Sequence, residues 1–313
     1  MSGRVLVTGG AGFIGSHIAE AYLDAGWEVV VLDDLSRGHE ENVPGGARFM
    51  KADIRSPEAR RLLAGGNFDL LNHHAAQIDV RVSVDRPAFD ADINVLGLVN
   101  LLEGAAEGGV RRVVFASSGG VLYGEADILP TPETAPKLPV SPYGVSKLAG
   151  ELYCAAWTAV QGLSTVSLRY FNVFGPGQHR ESKYAAVFPA FIGALLDGRP
   201  PEVNWDGEQT RDFTYIDDVV VANLAAAEAG SEASGKAFNI GGGRAKSVNE
   251  VLRAVSDALG IWIEPIPTPK RPGDVRHTLA DITRAKTLLG WEPKADWQTA
   301  VKATVDWFRT QLA

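Results

Sequence analysis

VTGGAGFIGS, residues 7–16, follows a short apolar run (RVLVT, 4–8) and opens an amphipathic stretch over 13–25. Gly9, Gly12 and Gly15 recur in it at three-residue spacing. Glycine permits a tight turn and lets backbone N–H groups approach a ligand closely. A helix starting there points the positive end of its dipole at a pyrophosphate. Strand, Gly-rich turn and helix in that order predict a dinucleotide-binding unit, although the spacing is wider than the usual fingerprint. A Gly-rich turn without a ligand is the competing reading, and the strand–turn–helix context counts against it.

Working outward, apolar runs alternate with amphipathic ones. Residues 28–32 (EVVVL), 69–72 (DLLN), 111–116 (RRVVFA) and 164–171 (STVSLRYF) read as further strands, and 56–64, 91–107 and 143–161 as further helices. Near-continuous Val/Leu strands separated by helices predict a parallel sheet covered on both faces, with ligands beyond the carboxyl ends of the strands. The expected fold is α/β: a Rossmann-type doubly wound parallel sheet with a smaller C-terminal α/β substrate-binding domain. Residues 1–172 are read as the NAD-binding domain. Residues 173–313 are read as mainly a substrate-binding cap, interleaved with the sheet. That second half carries polar, Gly/Pro-punctuated segments at 175–183, 198–213 and 264–274, and long loops of this kind are more often functional than idle.

Composition narrows the function classes. The 313 residues hold 30 Lys plus Arg against 38 Asp plus Glu, a net charge of −8. An acidic surface argues against nucleic acid or an anionic membrane as the main partner. Cys154 is the one cysteine, so no intrachain disulfide forms, and its apolar helical setting suits a buried thiol. The N-terminal residues run straight into a strand without a signal-peptide pattern, and the apolar runs are short for a bilayer. A cytoplasmic protein is expected.

The second strand ends VVVLDDLSRG. Asp33 stands at about the ~20-residue spacing of the acid that hydrogen-bonds an adenine-ribose 2′-hydroxyl, and a carboxylate there repels a 2′-phosphate, so NAD is favoured over NADP. Asp34 and Ser36, in the same turn, count with it as cofactor-side candidates. Arg37 keeps NADP open but reads equally as a solvated loop arginine. Asp53 and Ile54 suit an adenine-edge contact, with a plain loop cap as the alternative for Asp53. His73 and His74 are neighbours on a strand and point to opposite faces, so a shared metal ion is not expected.

Two stretches carry the chemistry. FASSGGVLYG (115–124) begins as a strand and breaks into small residues. SPYGVSK (141–147) puts Tyr143 and Lys147 four residues apart on one face of a helix that Pro142 helps to start. Free tyrosine, with a pKa of about 10, is a poor base at neutral pH. A nearby ammonium and the positive nicotinamide of NAD+ would favour its phenolate.

Together with RYFNVFGP (169–176), GEQTRDFTYIDDV (207–219) and KRPGDV (270–275), these motifs resemble the extended short-chain dehydrogenase/reductases. The likeness covers nearly the whole chain and is greatest to the NAD-dependent nucleotide-sugar 4-epimerases, typified by UDP-galactose 4-epimerase. The resemblance implies reversible hydride transfer at C4 of a UDP-hexose through a 4-keto sugar, with tightly bound NAD+. UDP-glucose and UDP-galactose come first, and UDP-N-acetylglucosamine or UDP-glucuronate is the alternative. It implies Tyr143 as base, Lys147 as its partner on the nicotinamide ribose, and Ser118 as proton relay, with Ser117 competing. Phe13, Ile14, Ala75, Ala76, Gln77, Asn94 and Phe171 would contact the cofactor. Asn172, Arg211, Arg271 and Asp274 would hold the nucleotide diphosphate. Gly177 stands where relatives often carry Arg, and Thr278 at a position where a bulky residue accompanies a tight sugar pocket. SKYAAVFP (182–189) resembles epimerases of N-acetylhexosamines. A homodimer through the faces of 91–107 and 143–161 is implied.

Related dehydratases and decarboxylases place carboxylates just after the catalytic Ser/Thr, because elimination needs an acid and a base beside C5 and C6. Here those places hold Gly119 and Gly120. A dehydratase or decarboxylase is thereby disfavoured, and a non-catalytic NAD(P)-binding regulator has no need of Ser118, Tyr143 and Lys147 together.

Overall fold

The structure is a computed structural model describing residues 3–178, 187–270 and 274–311. The first half alternates as β1 (Arg4–Thr8), α1 (Phe13–Asp24), β2 (Glu28–Asp33), β3 (Arg48–Lys51), α2 (Pro57–Gly65) and β4 (Leu70–His73). Then come α3 (Val80–Asp85), α4 (Pro87–Ala91), α5 (Gly97–Glu107), β5 (Arg112–Ser118), α6 (Gly119–Leu122), α7 (Pro142–Gln161), β6 (Ser164–Tyr170) and β7 (Asn172–Phe174). The second half contains α8 (Val187–Leu196), β8 (Glu202–Asn204), β9 (Thr210–Tyr215), α9 (Ile216–Glu228), β10 (Lys236–Ile240) and β11 (Ala245–Ser247). It closes with α10 (Val248–Leu259), β12 (Ile266–Thr268), α11 (Thr283–Leu289) and α12 (Trp297–Thr310).

Seven of these strands form one sheet in the order β3-β2-β1-β4-β5-β6-β10, and every pair in it is parallel. Both faces are apolar because the strands read nearly without interruption: Val5 and Val7 face the α1/α9 layer, Leu6 and Leu71 the α2/α5/α7 layer. Strand order reverses between β1 and β4. That switch point opens a crevice at the carboxyl ends, where ligands of such sheets bind. The Rossmann-type expectation holds.

Two local departures from the sequence reading have physical causes. The single helix read over 91–107 is interrupted by a wider, π-type turn at Asp92–Leu96. Asn94 in that turn exchanges two hydrogen bonds with the Gln77 backbone. At the start of α5 a Cβ on Gly97 would sit 2.6 Å from Ile54 Cδ1, so the chain passes too close there for a side chain. The seventh sheet strand, β10, comes from KAFNI in the second half of the chain and pairs with β6. Its five residues offer too short a pattern to stand out among polar neighbours.

Apart from α9 and α11, which pack on the main sheet, the rest of the second half forms a smaller α/β layer. A three-stranded sheet runs β11-β9-β7, and β12 pairs with β8. Its core joins Phe174, Phe188 and Phe213 to α10 and α12. Phe174 and Phe188 stack with centroids 4.3 Å apart. Since β7 follows β6 after a single residue, this layer sits directly on the carboxyl end of the main sheet.

Candidate active site

The cofactor turn is built by close approach. Gly9 takes φ +70°, and a Cβ on it would lie 2.6 Å from the Ala75 nitrogen. On Gly15 a Cβ would lie 2.2 Å from the Gly9 carbonyl oxygen. Gly12 caps α1 without any side-chain hydrogen bond, so the first N–H groups of the helix, from Phe13, Ile14 and Gly15, are left for a ligand. Asp33 closes the turn from β2: it accepts from the Ala11 N–H at 3.1 Å and the Leu35 N–H at 2.9 Å. Burial pushes its carboxyl above the ordinary range. Asp34 accepts from the Ser36 N–H at 2.8 Å, and both residues are exposed.

Across the crevice, Asp53 is gripped by Arg55, whose guanidinium also pairs with Asp92. The Arg55 hydrogen bonds hold the Asp53 carboxyl below its usual value, so it stays an ionised acceptor. Ile54 is buried in the core. Ala75 donates its N–H to Thr8 Oγ1 at 3.3 Å, and Ala76 is half-buried beside it. Gln77 and Asn94 are locked together, and both amides also donate to Asp90 Oδ1, at 2.9 and 3.1 Å.

At the end of β5 the two serines part. Ser117 donates to Glu151 Oε1, and Glu151 forms a two-armed ion pair with Arg169. That pair is 7 % and 5 % exposed, so the Ser117 hydroxyl is committed to a buried knot between β5, β6 and α7. Ser118, the last residue of the strand, points to the other face and is half-buried. Gly119 follows at once. A Cβ there would lie 2.2 Å from the Phe171 ring, whereas at Gly120 it would meet nothing within 4 Å.

Helix α7 begins at Ser141, whose hydroxyl accepts from the Gly144 N–H at 3.2 Å, with Pro142 in the first turn. Lys147 is 5 % exposed. Its ammonium donates to the Ala116 carbonyl at 2.8 Å and lies 5.9 Å from the Tyr143 ring. Burial pushes Lys147 down to about 8. The Tyr143 phenol is raised by burial and then by the Asp90 charge, so within the chain itself the base starts as a phenol. His73 and His74 face apart as their register requires. His73 Nδ1 lies 2.6 Å from Thr8 Oγ1, and His74 Nε2 lies 2.9 Å from the Tyr170 hydroxyl. Burial holds both neutral, His74 pushed down to about 3.

The substrate-side candidates gather on the smaller layer. Asn172 is exposed at the start of β7, which pairs with β9. Arg211 on β9 donates to the Thr210 carbonyl at 2.9 Å and lies within the field of Asp274 and Glu125. Phe171 is buried against Tyr123. Thr278 is 8 % exposed and its hydroxyl accepts from the Asp212 N–H at 3.3 Å. Gly177 adopts φ +83°, and a Cβ there would lie 2.9 Å from His17, so a side chain is disfavoured. Arg271 and residues 182–186 of the SKYAAVFP stretch lie outside the described residues.

The Gly-rich turn after β1 and Ser118 at the end of β5 stand at the carboxyl ends of the same parallel sheet, and Lys147 bonds to β5 two residues before Ser118. Residues 5–241 match the NAD dependent epimerase/dehydratase family. The chain belongs to that family. It is 42% identical to the UDP-glucose 4-epimerase of Mycolicibacterium smegmatis over 98% of this chain and 99% of that protein. The crystal structure of Thermotoga maritima UDP-glucose 4-epimerase with UDP-glucose superposes with a TM-score of 0.95 at 41% identity, covering 99% of this chain and 100% of that one. The UDP-N-acetylglucosamine 4-epimerase of Methanobrevibacter ruminantium, in complex with UDP-N-acetylmuramic acid, gives 0.94 at 36% identity, covering 99% of each chain.

NAD is the cofactor of this epimerase/dehydratase family, and the residues present fit it: the Gly9/Gly15 cradle that a Cβ would fill, the uncapped helix N-terminus and the Asp33 carboxylate. Sequence reasoning missed Asp90 and Ser146, which bond to each other across α4 and α7, and Glu151, which ties α7 to Ser117 and Arg169.

Lys147 also makes a stability statement. Its pKa of about 8 in the fold lies below the ordinary 10.5. The unfolded chain therefore binds more protons between those values, and stability rises with pH across that window. Below about pH 8 the cost of the buried ammonium is fully present. Lys147→Met is expected to raise the thermal midpoint of the apoprotein near pH 7, with the gain shrinking towards pH 10, while turnover falls. Thermal unfolding followed at both pH values checks this; a lower midpoint near pH 7 contradicts it.

Proposed function

We propose that the protein interconverts UDP-glucose and UDP-galactose by NAD-dependent 4-epimerisation. The observation that carries the reading is at the end of β5: Lys147 bonds the Ala116 carbonyl two residues before Ser118 and lies 5.9 Å from the Tyr143 ring, and the two positions after Ser118 are glycines, one of them closed by Phe171. Bound NAD supplies the hydride acceptor and donor. Tyr143, as phenolate, takes the proton of the sugar 4-hydroxyl as the C4–H bond breaks. Ser118 bridges that hydroxyl and the phenol and passes the proton. Lys147 lends positive charge to the phenolate and reaches the nicotinamide ribose. Asn172, Arg211, Arg271 and Asp274 hold the nucleotide diphosphate, the arginines on its phosphates, so the 4-keto sugar can turn and receive hydride and proton on its other face. Arginine suits that grip because its planar fork matches phosphate oxygens.

With no acid or base at 119 and 120, assisted loss of water or carbon dioxide has no group to drive it. The likeness to a UDP-N-acetylglucosamine 4-epimerase supports a larger hexose as the second substrate class. UDP-hexoses, their N-acetyl forms and UDP-glucuronate, incubated side by side with the NAD-loaded protein and resolved by chromatography, decide the pair. The expected result is UDP-glucose/UDP-galactose interconversion without net NADH; a 4-keto-6-deoxy sugar as sole product overturns the reading.

The active form is a homodimer in this reading. Leu152 and Val160 on α7 are 63 % and 78 % exposed, with Val145, Tyr153 and Leu96 beside them, an apolar face of the kind that a second copy covers. Leu152→Glu is expected to give a folded monomer in analytical ultracentrifugation. An unchanged dimer places the interface elsewhere.

A further inference from the structure

Asp90 is fully buried at the end of α4 and is held by three donors from three other elements. Gln77 Nε2 and Asn94 Nδ2 reach Oδ1 at 2.9 and 3.1 Å, and the Ser146 hydroxyl reaches Oδ2 at 2.6 Å. Gln77 and Asn94 belong to the cofactor wall, and Ser146 immediately precedes Lys147 in the first turns of α7. A buried carboxylate is costly unless fully hydrogen-bonded, and a plain amide would satisfy the same three groups. Gln77 and Asn94 share one oxygen, while a serine hydroxyl accepts as readily as it donates. The charge is thus more than the packing requires.

We propose that Asp90 is a positioning residue of the reaction: its three hydrogen bonds lock the cofactor wall to the Tyr143/Lys147 turn of α7 and set a negative charge beside that turn. The charged groups around Tyr143 are few. Lys147 lies on its own helix, Asp90 on α4, and Glu151, further down α7, is neutralised by Arg169 of β6. His73 and His74 on and after β4 are neutral. Burial acts first on both groups, raising Tyr143 and lowering Lys147, and the Asp90 charge adds to the first effect and opposes the second.

This inference rests on Tyr143 being the base, and the test separates the two. Tyrosinate absorbance is titrated in the NAD-loaded and NAD-free protein, in Asp90→Asn, and in Tyr143→Phe as the blank, alongside the pH profile of kcat. In Asp90→Asn the Nδ2 group donates to the Ser146 hydroxyl, so the network closes without the charge. The acidic limb of kcat and the Tyr143 titration are expected to move together to lower pH by roughly half a unit or more, the direction and scale of removing a nearby like charge. Ser146→Ala keeps the charge and breaks one bond; it is expected to lower kcat without moving the limb downward. An unmoved limb in Asp90→Asn, or a downward shift in Ser146→Ala, overturns the proposal. Normal turnover in Tyr143→Phe overturns the function reading instead.

Discussion

Tyr143→Phe is expected to cut turnover roughly a thousandfold, within the range that a positioned general base contributes, while NAD and UDP-sugar binding stay close to normal. The reasoning is local. Phenylalanine keeps the ring that sits 5.9 Å from the Lys147 ammonium, and the substitution removes only the hydroxyl proposed to exchange a proton with the sugar. The fold should not register the change, since α7 is anchored elsewhere: by the Ser141 cap, the Ser146–Asp90 bond and the Glu151–Arg169 pair. Turnover assays with calorimetric binding of UDP-glucose separate the two effects. Near-normal turnover removes Tyr143 as base.

Gly15→Ala should have an effect of similar size by a different route. The added Cβ would sit 2.2 Å from the Gly9 carbonyl oxygen and 2.7 Å from its carbon. Neither backbone atom can yield without opening the turn that faces the pyrophosphate. The expected cost is about 3 kcal/mol, the upper end for overpacking a close contact, and the protein should lose bound NAD on gel filtration. Gly65→Ala is the control. Gly65 lies on α2 with nothing within 4 Å of a Cβ, and alanine there should leave the cofactor in place and stabilise the helix by up to ~1 kcal/mol. Retained NAD in Gly15→Ala would show that the cradle is looser than its contacts imply.

Much of this molecule was legible in its sequence because the informative signals are local. RVLVT followed by Gly9, Gly12 and Gly15 marks strand, turn and helix within a dozen residues, and Tyr143 and Lys147 share a helical face at any four-residue spacing. Serine 117 against serine 118 could not be decided that way. Alternation puts them on opposite faces, but that the Ser117 hydroxyl is taken up depends on Glu151 and Arg169, 34 and 52 positions away from Ser117. Asp90 was invisible for the same reason. In DRPAFDADIN it looks like one more helical surface acid, and only the approach of residues 77, 94 and 146 shows that it is buried. Gly119 was read as a missing carboxylate. The structure adds the cause, a Phe171 ring already filling that space. Gly120 has room, so the reaction type is guarded sterically at one of the two positions only.

The central claim is transient oxidation at C4 followed by return of the same hydride to the same sugar. Its most direct test is UDP-glucose carrying deuterium at C4, incubated with the NAD-loaded protein and followed by mass spectrometry and NMR of the products. The account predicts UDP-galactose that keeps its deuterium at C4, with no uptake of solvent hydrogen at that carbon. UDP-galactose that has lost the label to water would contradict it, as would a product unchanged at C4.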